Sequence, residues 1–223
     1  MIDRKEIKKK AWEISKAHFK EIWMGYGFVL LFIGLINGLS ETILQNFPKC
    51  LWSFKGECMV SIGSILSFGV SLLLNVAIAF LMFGVYKYLL NIVRGKKVEF
   101  NDIFIYKKDW FKLFGISFVA TLLINLGSLL IIPGIILELA YAMMYYVYAD
   151  KEGDLKETLS GSRELMQGYK WDYFIFGLSF IGWILLIGFT FGIAIIWVMP
   201  FILIAQTLYY EELKKLKKVK NKK

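Results

Sequence analysis

The chain has 223 residues, of which 57% are hydrophobic and 17% aromatic, and a formal net charge of +9 from 27 basic and 18 acidic residues. An ordinary soluble domain is roughly 45–50% apolar, and the apolar residues here gather in long uncharged runs. That excludes a soluble enzyme, a secreted disulfide scaffold and a nucleic-acid module; the basic residues stand at the ends of the runs, where they serve orientation and lipid contact.

In chain order, residues 1–22 predict a cytoplasmic amphipathic helix. Ile7, Ala11, Ile14, His18 and Ile22 follow helical spacing beside Trp12, Phe19 and Trp23, and Arg4, Lys5, Lys8, Lys9, Lys16 and Lys20 fill the remaining surface. Such a helix lies on the inner leaflet, with its lysines near anionic lipid. His18, alone at the edge of the stripe, is structural. Nothing near the N-terminus reads as a cleaved signal peptide.

Uncharged runs of 19, 29, 25 and 38 residues follow, bounded by Glu21 and Glu41, Glu57 and Lys87, Lys112 and Glu138, and Asp172 and Glu211. A spanning helix needs about 20 such residues. The expected fold is an all-α polytopic membrane domain over 23–210, with six helices at about 22–40, 61–86, 113–132, 134–150, 173–189 and 191–210, and a basic cytoplasmic tail over 211–223. The last two runs must fold back, because a straight helix over 113–149 would rise about 55 Å against a hydrocarbon core of about 30 Å. Pro133-Gly134 and Gly188 to Gly192 supply the turns. The arms are short, and a re-entrant geometry stays open beside the hairpin. Of the 27 basic residues, 25 fall on one side of this layout, which places both termini in the cytoplasm. Cys50 and Cys58 share the outer loop, where either a bridge or two thiols is compatible with an oxidising exterior.

Lys108 to Phe118 and Lys170 to Phe180 align at an offset of 62, with Phe, Gly, Ser and Phe identical, and Tyr148 falls on Tyr210 by the same shift. This predicts an internal repeat of amphipathic helix plus hairpin, with a fainter third copy at Met24 to Phe28. Catalytic and metal motifs are missing, so no cofactor is expected. Gly25-Tyr-Gly27 is assigned to helix packing. Polar residues form stripes at helical spacing: Ser64, Ser67, Ser71 and Asn75; Ser117, Thr121, Asn125 and Ser128; Glu138, Tyr141, Tyr145 and Tyr148. Interhelical hydrogen bonding explains most of these. Glu138 stands apart as an ionisable intramembrane group, and with Tyr141, Asn75, Asn125, Thr121 and Gln206 it forms the candidate polar site.

The runs Ile132-Pro-Gly-Ile-Ile136, Tyr141-Ala-Met143, Ala149-Asp150, Ser162 to Trp171 and Leu178 to Trp183, with Asn91 to Gly95 and Phe100 to Phe104, resemble a family of bacterial integral membrane proteins catalogued as domain of unknown function 975. The second half of the chain is the specific part. The resemblance implies a polytopic bacterial plasma-membrane protein with no agreed activity. The family's distant similarity to the membrane domain joined to some glycerophosphodiester phosphodiesterases implies an accessory role. Leu137-Glu138 departs from the basic residue usual after the Pro-Gly-Ile-Ile run.

Two functions follow as expectations. The first is a non-enzymatic accessory or scaffold protein that associates with membrane lipid, a protein partner or its own copies, with Arg163, Met166 and Trp171 as interfacial contacts and no nucleic acid involved. The second is a small transporter or permease component centred on Glu138.

Overall fold

The computed structural model describes residues 2–44, 50–54, 57–61, 78, 80–128 and 130–220. The described chain is nearly all helical: α1 (Arg4–Ala17), α2 (Phe19–Ile22), a π-helical turn (Trp23–Gly27) and α3 (Phe28–Leu44) come first, and α4 (Phe80–Val93) follows. After a 3-10 helix at Phe100–Phe104 come α5 (Trp110–Ser128), α6 (Ile131–Tyr141), α7 (Met144–Lys151), α8 (Leu155–Met166), α9 (Lys170–Leu178), α10 (Ile181–Phe189) and α11 (Ile195–Lys220). The departure from an all-α chain is an antiparallel hairpin of Cys50–Phe54 and Glu57–Ser61, whose register sets Cys50 against Ser61 and Cys58 against Ser53. The side chains of both cysteines lie outside the described residues, as does most of the segment expected to span over 61–86.

Three stretches are long and apolar enough to cross a membrane: Trp110–Gly127, Ile132–Lys151 and Lys170–Phe189. α5 and α6 turn at Gly127 to Leu130, where the Leu130 amide donates to the Gly127 carbonyl at 3.1 Å. The turn expected at Pro133-Gly134 therefore sits earlier. Pro133 occupies the third position of α6, in the first turn, where a missing N–H costs nothing. Gly127 is what the crossing requires: a Cβ there would lie 2.5 Å from Leu137 Cδ1. The second expected turn is where the sequence put it, with Phe191 and Gly192 at positive φ between α10 and α11.

α1 starts on Asp3, whose carboxylate accepts from the Lys5 and Glu6 amides at 2.9 and 3.1 Å, a conventional N-cap. Its Ile7, Ala11 and Ser15 face is buried. What covers that face is protein, chiefly α11, where the sequence suggested lipid. Contacts run the length of the helix: Arg4 pairs with Asp172 at 2.7 Å, Lys8 Nζ donates to the Ser179 carbonyl at 2.9 Å, and Trp12 meets Trp183 and Phe201 with ring centroids 6.0 and 5.6 Å apart. Farther on, Trp23 Nε1 donates to the Ile196 carbonyl at 2.8 Å. α1 thus lies lengthwise along α9, α10 and α11, with Lys5, Lys9, Lys10, Glu13 and Lys16 exposed. Residues 211–220 of the expected tail are helical, continuing α11 to Lys220.

The other two connecting elements pack in the same way on the helices that precede them. The 3-10 helix is closed by a reciprocal Glu99/Asp102 capping box, its Phe100 and Phe104 rings flank Phe28 at 5.1 and 6.1 Å, and Ile103 is fully buried. α8, capped by Asp154 and Glu157, buries Thr158, Leu159, Ser162 and Met166, and Ser162 Oγ donates to the Ala140 carbonyl at 2.9 Å. Gly25 and Gly27 do serve packing: a Cβ on Gly25 would stand 3.1 Å from the Tyr88 ring, and one on Gly27 would stand 2.4 Å from the Trp23 ring.

Gly84 is the tightest of these approaches, since a Cβ there would fall 1.8 Å from the Ile103 carbonyl oxygen. Gly84→Ala must push the 3-10 helix off α4, and is expected to cost about 1–3 kcal/mol, read as a lower thermal midpoint in detergent. Gly115→Ala, whose Cβ would meet only Leu155 Cδ1 at an ordinary 3.7 Å, is the matched control and should leave the midpoint unchanged or raise it slightly, since alanine favours a helix interior over glycine.

Candidate functional site

Among the described residues, the members of the expected polar site do not face one shared interior. Thr121 and Asn125 lie on the exposed surface of α5 and Glu138 on that of α6. Tyr141 is half-buried against the cluster of Phe83, Met144 and Tyr148, and Gln206 is half-buried on α11. Asn75, with Ser64, Ser67 and Ser71, lies outside the described residues. Glu138 stands within electrostatic reach of the Tyr173 phenol across the α6 and α9 contact. Ser117 is buried without a conventional hydrogen bond to its hydroxyl, close to the Tyr145 phenol. The middle of the described bundle is filled by rings. Tyr86 stacks on Tyr145 at 4.9 Å and meets Tyr146 edge-on at 4.6 Å, and Tyr146 stacks on Tyr210 at 5.1 Å. Such contacts add about 0.5–1.5 kcal/mol per pair beyond area burial, and they leave little space for solvent.

Ionic chemistry collects at one end. Arg94, just past the end of α4, reaches Asp150 on α7 at 2.8 Å and Glu211 on α11 at 2.5 Å. Asp150 also accepts from Tyr210 at 3.1 Å and from Lys214. Burial by itself would lower the Arg94 pKa, but the hydrogen bonds it donates to Asp150 and Glu211 outweigh it and hold the guanidinium charged. A second knot joins Arg4, Asp172 and Tyr209, the phenol donating at 2.8 Å. A third joins Lys87 to Glu152 at 3.2 Å, with Lys112 reaching the Glu152 carbonyl and the Asp154 carboxylate, both at 3.2 Å. One sequence signal marked these residues: acids standing among the basic flanks of apolar runs. The sign of the flanks can be counted in the sequence, whereas their pairing joins residues from distant helices.

The interfacial trio divides. Arg163 and Trp171 are exposed, whereas Met166 is fully buried. Met166 is thereby corrected to a core residue: it lies on the α8 face that carries Thr158, Leu159 and Ser162 inward, so no partner can reach it. Trp171, 72% exposed, forms one wall of an apolar cleft of about 390 Å³ with Ile132, Ile135, Ile136 and Leu139 of α6, and Lys170 is its single charged wall residue.

These features define a helical protein with three segments able to cross a membrane, paired charges at one end and an apolar, cleft-bearing flank. The model of a family described as "Protein of unknown function (DUF975)" matches residues 128–217, from the end of α5 through most of α11, the same half of the chain in which the Pro-Gly-Ile-Ile and Ser162 to Trp171 runs carry the resemblance. No curated protein and no solved structure matches the chain.

Arg94→Ala leaves Asp150 and Glu211 without the cation between them. Breaking a largely buried pair one-sidedly is expected to cost about 2–4 kcal/mol, seen as a lower thermal midpoint. Arg94→Lys should recover only part of the loss, because an ammonium cannot serve both carboxylates with the fork of a guanidinium. An unchanged midpoint in Arg94→Ala would show that the network does not hold the helix ends together.

Proposed function

We propose that this chain is a non-enzymatic, multi-pass protein of the bacterial plasma membrane that acts by association, holding anionic lipid on its apolar flank and presenting its charged, cytoplasmic end to partners. The observation that carries this reading is the third hairpin. α9 and α10 leave only 11% of the Lys170–Phe189 window buried, and Phe189, Phe191, Ile193 and Trp197 at its tip are among the most exposed apolar residues of the described chain.

The same hairpin is strapped by the charged α1 as far as Trp183 and Phe201. From Trp183 to Phe191 the chain rises about 12 Å, less than half of a hydrocarbon core of about 30 Å. Our reading is therefore four crossings, made by α3, the uncharged run that leads into α4, α5, and α6 with α7, plus a third hairpin that enters and leaves from the cytoplasmic side. Of the hairpin and re-entrant geometries that the sequence left open, the strap favours the re-entrant one.

The cleft beside Trp171 suits a phospholipid. Four aliphatic side chains accept an acyl chain, Trp171 has the amphipathic ring that favours the headgroup boundary, and the Lys170 ammonium can meet a phosphate. The transporter reading needs Thr121, Asn125 and Glu138 to line a shared interior, and all three are exposed.

Extraction of the protein into polymer-bounded membrane discs, followed by mass spectrometry of bound lipid, tests the reading. Ile136→Trp, which fills the cleft, and Lys170→Glu, which repels phosphate, should each lower retained phosphatidylglycerol severalfold without lowering the amount of protein in the membrane. Unchanged lipid in both variants would remove the cleft from the account.

A further inference from the structure

A second cleft, also about 390 Å³, opens between α7, α8 and α11. Its walls carry Lys151, Lys214, Lys217 and Lys218 against a single carboxylate, Glu164. This lies within the range of ligand pockets, roughly 300–1,000 Å³. The floor is closed by a helix contact, since a Cβ on Gly161 of α8 would stand 3.1 Å from Val147 Cγ1 of α7.

Two of the four lysines are fixed in place. Lys214 is held by Asp150, itself anchored by Arg94 and Tyr210. Lys217 donates to the Gln167 carbonyl at 3.0 Å and lies 5.7 Å from the centre of the Tyr169 ring. Neutralising the carbonyl end of α8 accounts for Lys217. It does not account for Lys151 and Lys218, exposed residues from two other helices that face the same concavity. Like charges brought together in a cleft repel, and the concave wall concentrates their field. An anion with several negative oxygens relieves that repulsion, and lysine is a point-charge partner for phosphate.

We propose that this cleft binds a phosphate-bearing anion, either a soluble phosphate compound or a phospholipid headgroup. The site is separate from the Trp171 cleft, and its test uses different residues, so either proposal can fail alone.

The full chain is placed in phosphatidylcholine discs and titrated with inorganic pyrophosphate, with wild type compared against the Lys151→Gln, Lys218→Gln double variant and against Lys170→Glu. A soluble anion as ligand predicts saturable binding that weakens at least about fivefold in the double variant, as loss of close charge contacts in water implies, and stays unchanged in Lys170→Glu. A headgroup as ligand predicts no pyrophosphate binding, but enrichment of phosphatidylglycerol around the wild type from mixed phosphatidylcholine and phosphatidylglycerol vesicles, reduced in the double variant. The proposal is overturned if neither probe binds, or if the double variant binds as the wild type does.

Discussion

A helix that bears charged residues on its outer face cannot be carried into hydrocarbon, and this one lies lengthwise on a hairpin that is otherwise apolar. Each lysine at the centre of a bilayer costs about 2.5–3.5 kcal/mol even on forgiving scales, and α1 exposes Lys5, Lys9, Lys10 and Lys16. The helix cannot move away to escape that cost. Its Ile7 and Ala11 are buried, Arg4 is paired with Asp172, and Lys8 sits 4.5 Å from the Phe180 ring centre while binding the Ser179 carbonyl. On the re-entrant reading proposed above, the hairpin stays where water can reach α1, although by length and composition Lys170–Phe189 could cross.

That placement gives the three connecting elements a common logic. The 3-10 helix packs on α3 and α4 through Phe28 and Gly84, α8 packs on α6 and α7 through Ala140 and Val147, and α1 packs on α9 to α11 as if it followed them. The ends of α4 and α7 are then tied to the middle of α11 by Arg94 between Asp150 and Glu211. Away from that network, exposed Leu130, Ile132 and Phe191 suit lipid.

How much of this could be read in the sequence depended on whether the deciding partner was local. The α10 and α11 turn was legible, because the glycines at 188 and 192 bracket it and Gly192 takes the positive φ. The buried stripe of α1 was legible from its spacing, but its cover was not, since Phe201 and Trp183 lie almost the whole chain away. Pro133 misled about the other turn: a proline marks a break or a first turn equally well, and the close approach of Gly127 to Gly134 decided between them. The proposed repeat shows the same limit. The matched Ser117-Phe118 and Ser179-Phe180 stand in different backbones, a continuous helix in α5 and a break between α9 and α10, where Ser179 Oγ turns back to the Phe176 carbonyl at 2.5 Å. Of the candidate site, the individual polar residues were legible and their convergence was not, because helical spacing fixes a face without fixing what it meets.

The most direct test of the strapped, re-entrant third hairpin is the accessibility of its tip. In a chain with Cys50 and Cys58 replaced by serine, Phe191→Cys is challenged in intact cells with a membrane-impermeant maleimide, with Lys55→Cys in the outer loop as reference. The account predicts labelling of Lys55→Cys and none of Phe191→Cys until the membrane is permeabilised or dissolved. Labelling of Phe191→Cys from outside at the rate of the reference would mean that the hairpin crosses the bilayer, and would contradict the account at its centre.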